Sequence, residues 1–438
     1  MNHVFLSSYQ NLTNKIMQRR NFIKSTATIS AFSILRPDIV FGSKANSAIR
    51  FGVIGCGNRG TAVISSISAN TNTNIIAIAD LFEDKLLAGE KNFNELNTKK
   101  NFPALSKQNI YRGSKAYLQL LNNKDVDAVL ISSPAYSHVE FLEAAVAAGK
   151  HVYCEKPVAT DADGCRRVIE AGQKLNGKQS VAIGFQIRYA SAYAEMVNRI
   201  QRGDIGDLIT VQLYYLSSGA TWVPVNKNAS YDEVRIRNHY FYRAMCGDII
   251  LDQGIHMLDV CNWALKNHPL NAIGRANDSG LPDLGDTFSN FQVVYQYPNN
   301  VNVSIHTTKV GPAFGDVCCR FLGTKGFAEA HYSGGVFIEG ENKWDSGIAK
   351  SAAELTEQQR ASGVFSSSLH DADSNKDIAF VKSIETGNYL NETRSGAEST
   401  LTAILGRDSA TRQREMTWDE VYFSGDRLDP KLNLSQFS

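Results

Sequence analysis

The stretch from Ile49 to Leu81, IRFGVIGCGNRGTAVISSISANTNTNIIAIADL, constrains the fold more than any other part of the chain. A short β-rich apolar run, Ile49 to Ile54, stops at Gly55-Cys56-Gly57-Asn58-Arg59-Gly60, and a helical pattern follows at once. That places a G-x-G-x-x-G between a strand and a helix. Gly55 permits the tight turn, Gly57 lets backbone approach a pyrophosphate with no Cβ in the way, and Gly60 lets the helix pack close to the strand. The helix start, carrying Asn58 and Arg59, offers free N–H groups and partial positive charge to phosphates. A glycine turn alone is often only a turn. Here the second strand, Asn74 to Ala79, ends in Asp80, about 20 residues past the turn, where an acid meets ribose hydroxyls. The stretch therefore predicts a bound dinucleotide. An acid accepts hydrogen bonds from a 2′-OH and repels a 2′-phosphate, which favours NAD over NADP. NADP stays open through Arg59 or Lys85.

The alternation continues past Asp80. An amphipathic segment from Glu83 to Leu96, a short helix from Ser114 to Leu121 and an apolar strand from Val126 to Ile131 follow. A helix from His138 to Ala148, closed by Gly149, leads to a strand from Lys150 to Cys154. Repeated βα units imply a doubly wound parallel sheet, with ligands at the carboxyl ends of its strands. Ser133, Pro134, His138 and Glu155 fall at or just past such ends and are expected to line the cofactor cleft. Glu155-Lys156-Pro157 reads either as a surface turn with a solvated ion pair or as part of that cleft. In the cleft, a lysine can hydrogen-bond a substrate hydroxyl and, if partly desolvated, share in proton transfer.

After a helix from Asp161 to Leu175 and a strand from Ser180 to Gly184 the pattern changes. Phe185-Gln186-Ile187-Arg188-Tyr189 opens a helix running to Gln201, and Gly206 to Leu216 is a long strand. Thr287 to Tyr297, Val301 to Val310 and Val317 to Leu322 read as antiparallel strands, and Ser395 to Thr411 as a final helix. The fold class expected is α/β, with an N-terminal dinucleotide-binding domain over residues 46–175. A second α/β domain over 176–438 has an open, mostly antiparallel sheet with helices on one face. An open sheet leaves a face to cover, most simply by another subunit, which implies a homo-oligomer. The aromatic and arginine-rich segment Thr221 to Arg243 is too polar for core and reads as a cap over the cleft. Gly340 to Ser368 is polar and without period.

Ile249 to Leu265, IILDQGIHMLDVCNWAL, is the second informative stretch. At 100° per residue, Asp252, His256 and Asp259 share a narrow arc on an otherwise apolar helix. A solvated face would be broader and would carry Lys or Glu. The stripe is expected to face a polar cavity, although Asp and His four residues apart can also satisfy each other with no substrate at all. Neutral histidine suits removal of a hydroxyl proton while hydride leaves carbon, and a carboxylate can orient it and stabilise its cation.

The formal net charge of +1 and the lack of a basic stripe exclude nucleic acid and favour a small-molecule ligand. Seven cysteines without C-x-x-C pairs or zinc-type Cys/His spacing predict buried thiols, no disulfide framework and no metal. Near the N-terminus, Arg19-Arg20-Asn21-Phe22-Ile23-Lys24 precedes a mildly apolar run from Ser25 to Leu35. This reads as a twin-arginine export signal over residues 1–45, with Ser43-Lys44-Ala45 as a candidate cleavage site and Met17 as an alternative start. The run is too short for a stable membrane span. A periplasmic location is expected.

Three motifs in order, the glycine turn with Asp80, the Glu155-Lys156-Pro157 turn and Asp252-x-x-x-His256, resemble the Gfo/Idh/MocA oxidoreductases. The resemblance runs from Ile49 to about Val421. It implies a Rossmann domain joined to an open-sheet α/β domain, NAD or NADP in the cleft, and sugars or cyclic polyols as substrates. By the same matching Lys156, Asp252 and His256 form a catalytic trio, with His256 as general base and Lys156 polarising the hydroxyl. Gln186 and Arg188 lie where members contact nicotinamide or substrate. Two other readings compete. One is NAD-dependent glycoside cleavage through transient oxidation and elimination, which yields a free leaving group and no net NADH. The other is a non-catalytic carbohydrate-binding protein, indifferent to loss of Lys156 or His256.

Overall fold

The computed structural model describes residues 47–217, 222–281, 284–310, 316–348 and 367–437. The twin-arginine segment, Ser43-Lys44-Ala45, Thr221 and most of the stretch from Gly340 to Ser368 lie outside the described residues. Among those described, no helix is long and apolar enough to cross a membrane.

Among the described residues the first sheet has six parallel strands in the order β3-β2-β1-β4-β5-β6. These are β1 (Ile49–Ile54), β2 (Thr73–Asp80), β3 (Ile110–Arg112), β4 (Ala128–Ile131), β5 (His151–Cys154) and β6 (Val181–Ile183). Every residue of β4 is buried, as expected of a central strand covered by helices on both faces. Strand order reverses between β1 and β4, and the crevice beyond their carboxyl ends is where such a sheet binds ligands. The sheet continues past residue 175, because β6 pairs with β5 before the chain leaves for the second sheet.

Helix α1 (Asn58–Asn70) starts directly at the glycine turn. Ala162–Gln173 begins at Asp161, whose carboxylate accepts from the Gly164 N–H at 2.8 Å, and buries Cys165, Val168 and Ile169 on one face. The continuous helix expected from Phe185 to Gln201 is two pieces. A 3-10 turn, Gln186–Tyr189, ends at Ala190, and an α-helix, Ser191–Gln201, then starts afresh.

Among the described residues the second sheet has nine strands. Its centre is β7 (Leu208–Leu216), paired parallel with β10 (Val301–Thr308) and antiparallel with β11 (Val317–Gly323). The remaining pairings are antiparallel and include strands for which no expectation existed: β8 (Asn271–Asn277), β12 (Gly326–His331) and β13 (Val336–Gly340). Ser191–Gln201, Ile255–Leu265 and Thr393–Arg412 pack on one face of this sheet. The other face is open, with Ile273 and Val294 paired across β8 and β9 (Asn290–Tyr297), and Phe327 on β12, all well exposed. All seven cysteines are buried and free.

Candidate active site and dinucleotide cleft

A cleft of about 580 Å³ opens at the carboxyl ends of β1, β2 and β4 and runs to the Glu155–Pro157 turn and Asp252. Its floor is the glycine turn. Gly55 has φ +97°, and a Cβ there would lie 2.7 Å from the Ser132 carbonyl group. A Cβ on Gly60 would lie 2.0 Å from the Gly55 oxygen, so only glycine lets the helix sit this close. A Cβ on Gly57, by contrast, would meet nothing within 4 Å. Gly57 thus borders open space at the N-terminus of α1, where no side chain caps the free N–H groups and the first turn carries no acid. Such a helix start is suited to a pyrophosphate.

Asp80 lines the cleft and also braces the turn. Its Oδ2 accepts from the Cys56 N–H at 2.7 Å and its Oδ1 from the Phe82 N–H at 3.0 Å. Burial raises the carboxyl pKa while these hydrogen bonds pull it back. Arg59 lines the cleft with its guanidinium already paired: its Nη2 lies 2.8 Å from Glu155 Oε1 and donates to Gln186 Oε1 at 3.2 Å. Burial opposes the Arg59 charge, but the facing Glu155 prevails and raises the guanidinium pKa. Gln186 in turn donates to the Tyr332 hydroxyl at 2.9 Å. One ion pair therefore ties the glycine turn to the turn bearing Lys156. Lys85 also lines the cleft, close to Asp80.

Ser133, Pro134 and His138 are on the cleft wall. The Ser133 and Ser137 hydroxyls are 2.7 Å apart. The His138 ring is wedged between two carbonyl oxygens, Pro157 O at Nδ1 and Ser133 O at Nε2, both at 2.7 Å. Burial lowers its pKa, and the two carbonyls work against that shift. His138 thus holds the Lys156–Pro157 turn against the loop after β4.

Ile249 to Leu265 is not one regular α-helix. It begins as a π-helical turn, Ile250–Gly254, before the α-helix Ile255–Leu265. Wide turns of this kind are frequent at functional sites because they re-aim side chains. Lys156 Nζ donates to the Asp252 backbone oxygen and lies 3.9 Å from Asp252 Oδ1, with both side chains largely buried. One turn on, His256 is 6% exposed, and its Nδ1 has no hydrogen-bond partner. Its ring sits among Tyr215, Phe185 and Tyr332, with centroids 6.1, 6.4 and 6.5 Å away. Burial, reinforced by the nearby Lys156 and Arg59 charges, holds its pKa well below the ordinary value. The imidazole is neutral at pH 7.

Asp259, expected on the same polar stripe, is drawn elsewhere. Its carboxylate takes two 2.8 Å bonds from Arg188 and one of 2.7 Å from Ser399. That corrects the picture of three side chains sharing one cavity, and it commits Arg188 to a buried pair. Residues without any sequence expectation also line the cleft: Phe82, Tyr136 and, from the C-terminal segment, Leu434. Within Thr221 to Arg243, the segment read as a cap is a short helix, Tyr231–Arg237, then a 3-10 turn, His239–Phe241. Ile236, Arg237, His239 and Tyr240 reach the cleft.

Among the described residues one group has metal-type side chains close together, Asp316, Cys318 and His331, with ligand atoms within 4.8 Å of one another. Asp316 just precedes β11, Cys318 is on β11 and His331 on β12, and His331 is already bonded to Glu329 at 2.5 Å.

Residues 49–185 match the family model described as the Gfo/Idh/MocA oxidoreductase family, NAD-binding Rossmann fold, and residues 193–329 match the model of that family's C-terminal domain. The chain belongs to the Gfo/Idh/MocA oxidoreductases. Inositol 2-dehydrogenase of Salmonella typhimurium is 32% identical over 216 residues, 49% of this chain and 57% of that protein. Inositol 2-dehydrogenase/D-chiro-inositol 3-dehydrogenase of Shouchella clausii is 29% identical over 54% of this chain and 60% of its own length. The match thus spans little more than half the length of these curated relatives. Among solved structures, aldose-aldose oxidoreductase from Caulobacter crescentus has the same fold, with TM-score 0.63 and 18% identity over 84% of this chain and 99% of that one. A levoglucosan dehydrogenase complexed with NADH and levoglucosan has TM-score 0.63 and 16% identity over 84% and 99%. The residues present fit the NAD of this Gfo/Idh/MocA Rossmann fold. Gly57 opens onto the cleft, the first turn of α1 is uncapped, and an acid ends β2.

Proposed function

We propose that the protein transfers hydride between a ring CH–OH of a sugar or cyclic polyol and bound NAD. The observation that carries this reading is the Lys156–Asp252 pair on the cleft wall, with the neutral, unpartnered His256 one turn further on. When bound, NAD supplies the hydride acceptor. Gly55, Gly57, Asn58, Gly60 and Asp80 would hold the dinucleotide, and Ser133, Pro134 and Glu155 would line its path, with Arg59 acting through Glu155 and Gln186 through Arg59. The Lys156 ammonium binds the reacting hydroxyl and makes it more acidic. His256 takes the hydroxyl proton on a ring nitrogen and returns it in the reverse direction. Lys156 depresses the basicity of the imidazole and of the alkoxide together, which keeps proton donor and acceptor matched. Asp252 fixes the lysine and offsets its charge.

Inositol 2-dehydrogenases among the relatives support a cyclic polyol or pyranose as substrate. The exposed Ile273, Val294 and Phe327 face supports a homo-oligomer closed over the second sheet. The arginine pair at Arg19-Arg20 supports twin-arginine export to the periplasm, where free NAD is scarce and a retained cofactor is an advantage. Cell fractionation with and without an Arg19→Lys/Arg20→Lys change checks the export.

The test of the activity is to denature purified protein, identify released nucleotide by mass, and follow NADH fluorescence while titrating myo-inositol and aldoses. Reduction of the cofactor by one of them is the expected outcome. A free leaving group from a glycoside without net NADH would replace this reading with transient oxidation and elimination. Failure to bind any nicotinamide nucleotide would overturn both.

A further inference from the structure

The C-terminal segment carries a pattern outside the two sheets and the α-helices. In Leu428-Asp429-Pro430-Lys431-Leu432-Asn433-Leu434-Ser435, the apolar positions are half-buried and the polar ones between them exposed. The chain lays one side on the protein, bends at Lys431, whose φ is +49°, and finishes in a 3-10 turn, Leu434–Phe437. It is tied down along its length. The Leu428 N–H donates to Asp161 at 2.8 Å, Arg235 donates to the Pro430 oxygen, and the Asn433 N–H and Gln436 side chain both donate to Asp232, at 2.9 and 3.1 Å. The segment ends with Phe437 edge-on to Phe82, ring centroids 5.6 Å apart.

The place where it lands is specific. Phe82 follows Asp80, the acid at the ribose end of a dinucleotide site. Phe82, Ile236 and Met245 form a small apolar cluster onto which Leu432, Leu434 and Phe437 pack. The Arg237 guanidinium covers the Phe82 ring at 3.9 Å and pairs with Asp84. Leu434 also borders the cleft itself, as Leu81 and Phe82 do. Three separate stretches of chain thus meet at the adenosine end of the cleft, and the last of them is held mainly by polar contacts to one short helix, Tyr231–Arg237.

Resting on the NAD reading above, we infer that residues 428–437 are a strap that closes the adenosine end of the cleft and slows nucleotide release. Leu434 is then a nucleotide-contacting residue, and Asp232 and Phe82 position it. The strap acts on the adenosine half and leaves the nicotinamide half alone, so the two halves of the cofactor separate its effect from general loosening.

The experiment compares wild type, Leu434→Ser and a chain ending at Arg427, with thermal melts to establish that each is folded. Release of NADH is followed by stopped-flow fluorescence, and affinities for ADP-ribose and for reduced nicotinamide mononucleotide are measured separately. The expected result is release faster by about tenfold or more and weaker ADP-ribose binding, with reduced nicotinamide mononucleotide bound as in wild type. Unchanged NADH release and ADP-ribose affinity in both folded variants would overturn the strap while leaving the NAD reading intact. Equal weakening for both probes would also overturn it, because that marks a general loss of structure. If wild type binds neither probe nor NADH, the NAD reading falls and the strap with it.

Discussion

His138 and His256 are almost equally hidden, at 2% and 6% exposure, yet they are opposite kinds of residue. The first has a carbonyl oxygen 2.7 Å from each ring nitrogen; the second has no partner for Nδ1 and three aromatic rings around it. Burial lowers the pKa of both. For His138 the neighbouring carbonyls oppose the shift, whereas for His256 the neighbouring cations, Lys156 and Arg59, add to it. A histidine whose hydrogen-bonding capacity is used up is holding structure. One left unpaired beside a lysine, at the cost of desolvation, is kept for a group that arrives later.

The sharpest way to break this distinction is to replace His256. His256→Asn is expected to lower turnover by about 10²–10⁴-fold, the usual worth of a positioned general base, with NADH affinity and melting temperature nearly unchanged. Lys156→Met should fall in the same range. Steady-state kinetics and NADH fluorescence check both, and full activity in His256→Asn would put the two histidines in one class.

The next effect falls on stability, and it compares two carboxylates on one helical stretch. Asp259→Asn removes the charge and one of the two oxygens that accept from Arg188 at 2.8 Å, leaving a buried guanidinium without its counter-ion, and is expected to cost about 3 kcal/mol in denaturant unfolding. Asp252→Asn is expected to cost little stability and much activity. Equal losses would mean that Asp252 is also structural.

That contrast marks where the sequence was legible. The turn from Gly55 to Gly60 could be read because each glycine answers a local steric demand, and the acid ending β2 has a fixed distance from it. The alternation to Cys154 could be read because buried parallel strands are short apolar runs. The stripe of Asp252, His256 and Asp259 was read with a regular 100° step, which a π-turn at Ile250–Gly254 breaks. Helical projection also says nothing of what stands opposite, and Arg188, 71 residues away in sequence, decides the fate of Asp259. Strands β12 and β13 are short, and Phe327 and Phe337 stand beside Glu329 and Glu339 on the open side, so the apolar and polar positions do not alternate cleanly. The C-terminal segment had a signal in its two-residue alternation, but no strand partner or helix period draws attention to it.

A smaller loss is expected at His138. His138→Ala removes the ring between the Ser133 and Pro157 oxygens and takes away the one N–H that the neutral ring donates to them, a cost of about 1–3 kcal/mol. Activity should fall less than in His256→Asn, since the Lys156 turn loses support and no reacting group is lost. A turnover defect as deep as that of His256→Asn, with stability intact, would assign His138 to chemistry.

The smallest effect separates the two histidines by pH. Each has a folded pKa below the unfolded value, so the unfolded chain binds protons that the folded chain refuses, and stability falls as pH drops below about 6.5. Above that pH both states are neutral and neither histidine contributes. The slope per histidine is about 1.4 kcal/mol per pH unit, and it persists until the folded form is itself protonated. His256 lies well below the ordinary value, so its share extends further into the acid range. His138, pulled back by its carbonyls, exhausts its share closer to pH 6.5. His151 and His239 are lowered by burial as well and steepen the common background. Urea unfolding from pH 7.5 to pH 5 should therefore show His256→Asn with a shallower acid slope throughout. The slope of His138→Ala should differ from wild type only in the upper part of the range. Identical profiles for the two variants would mean that pairing by the carbonyls does not protect the His138 charge.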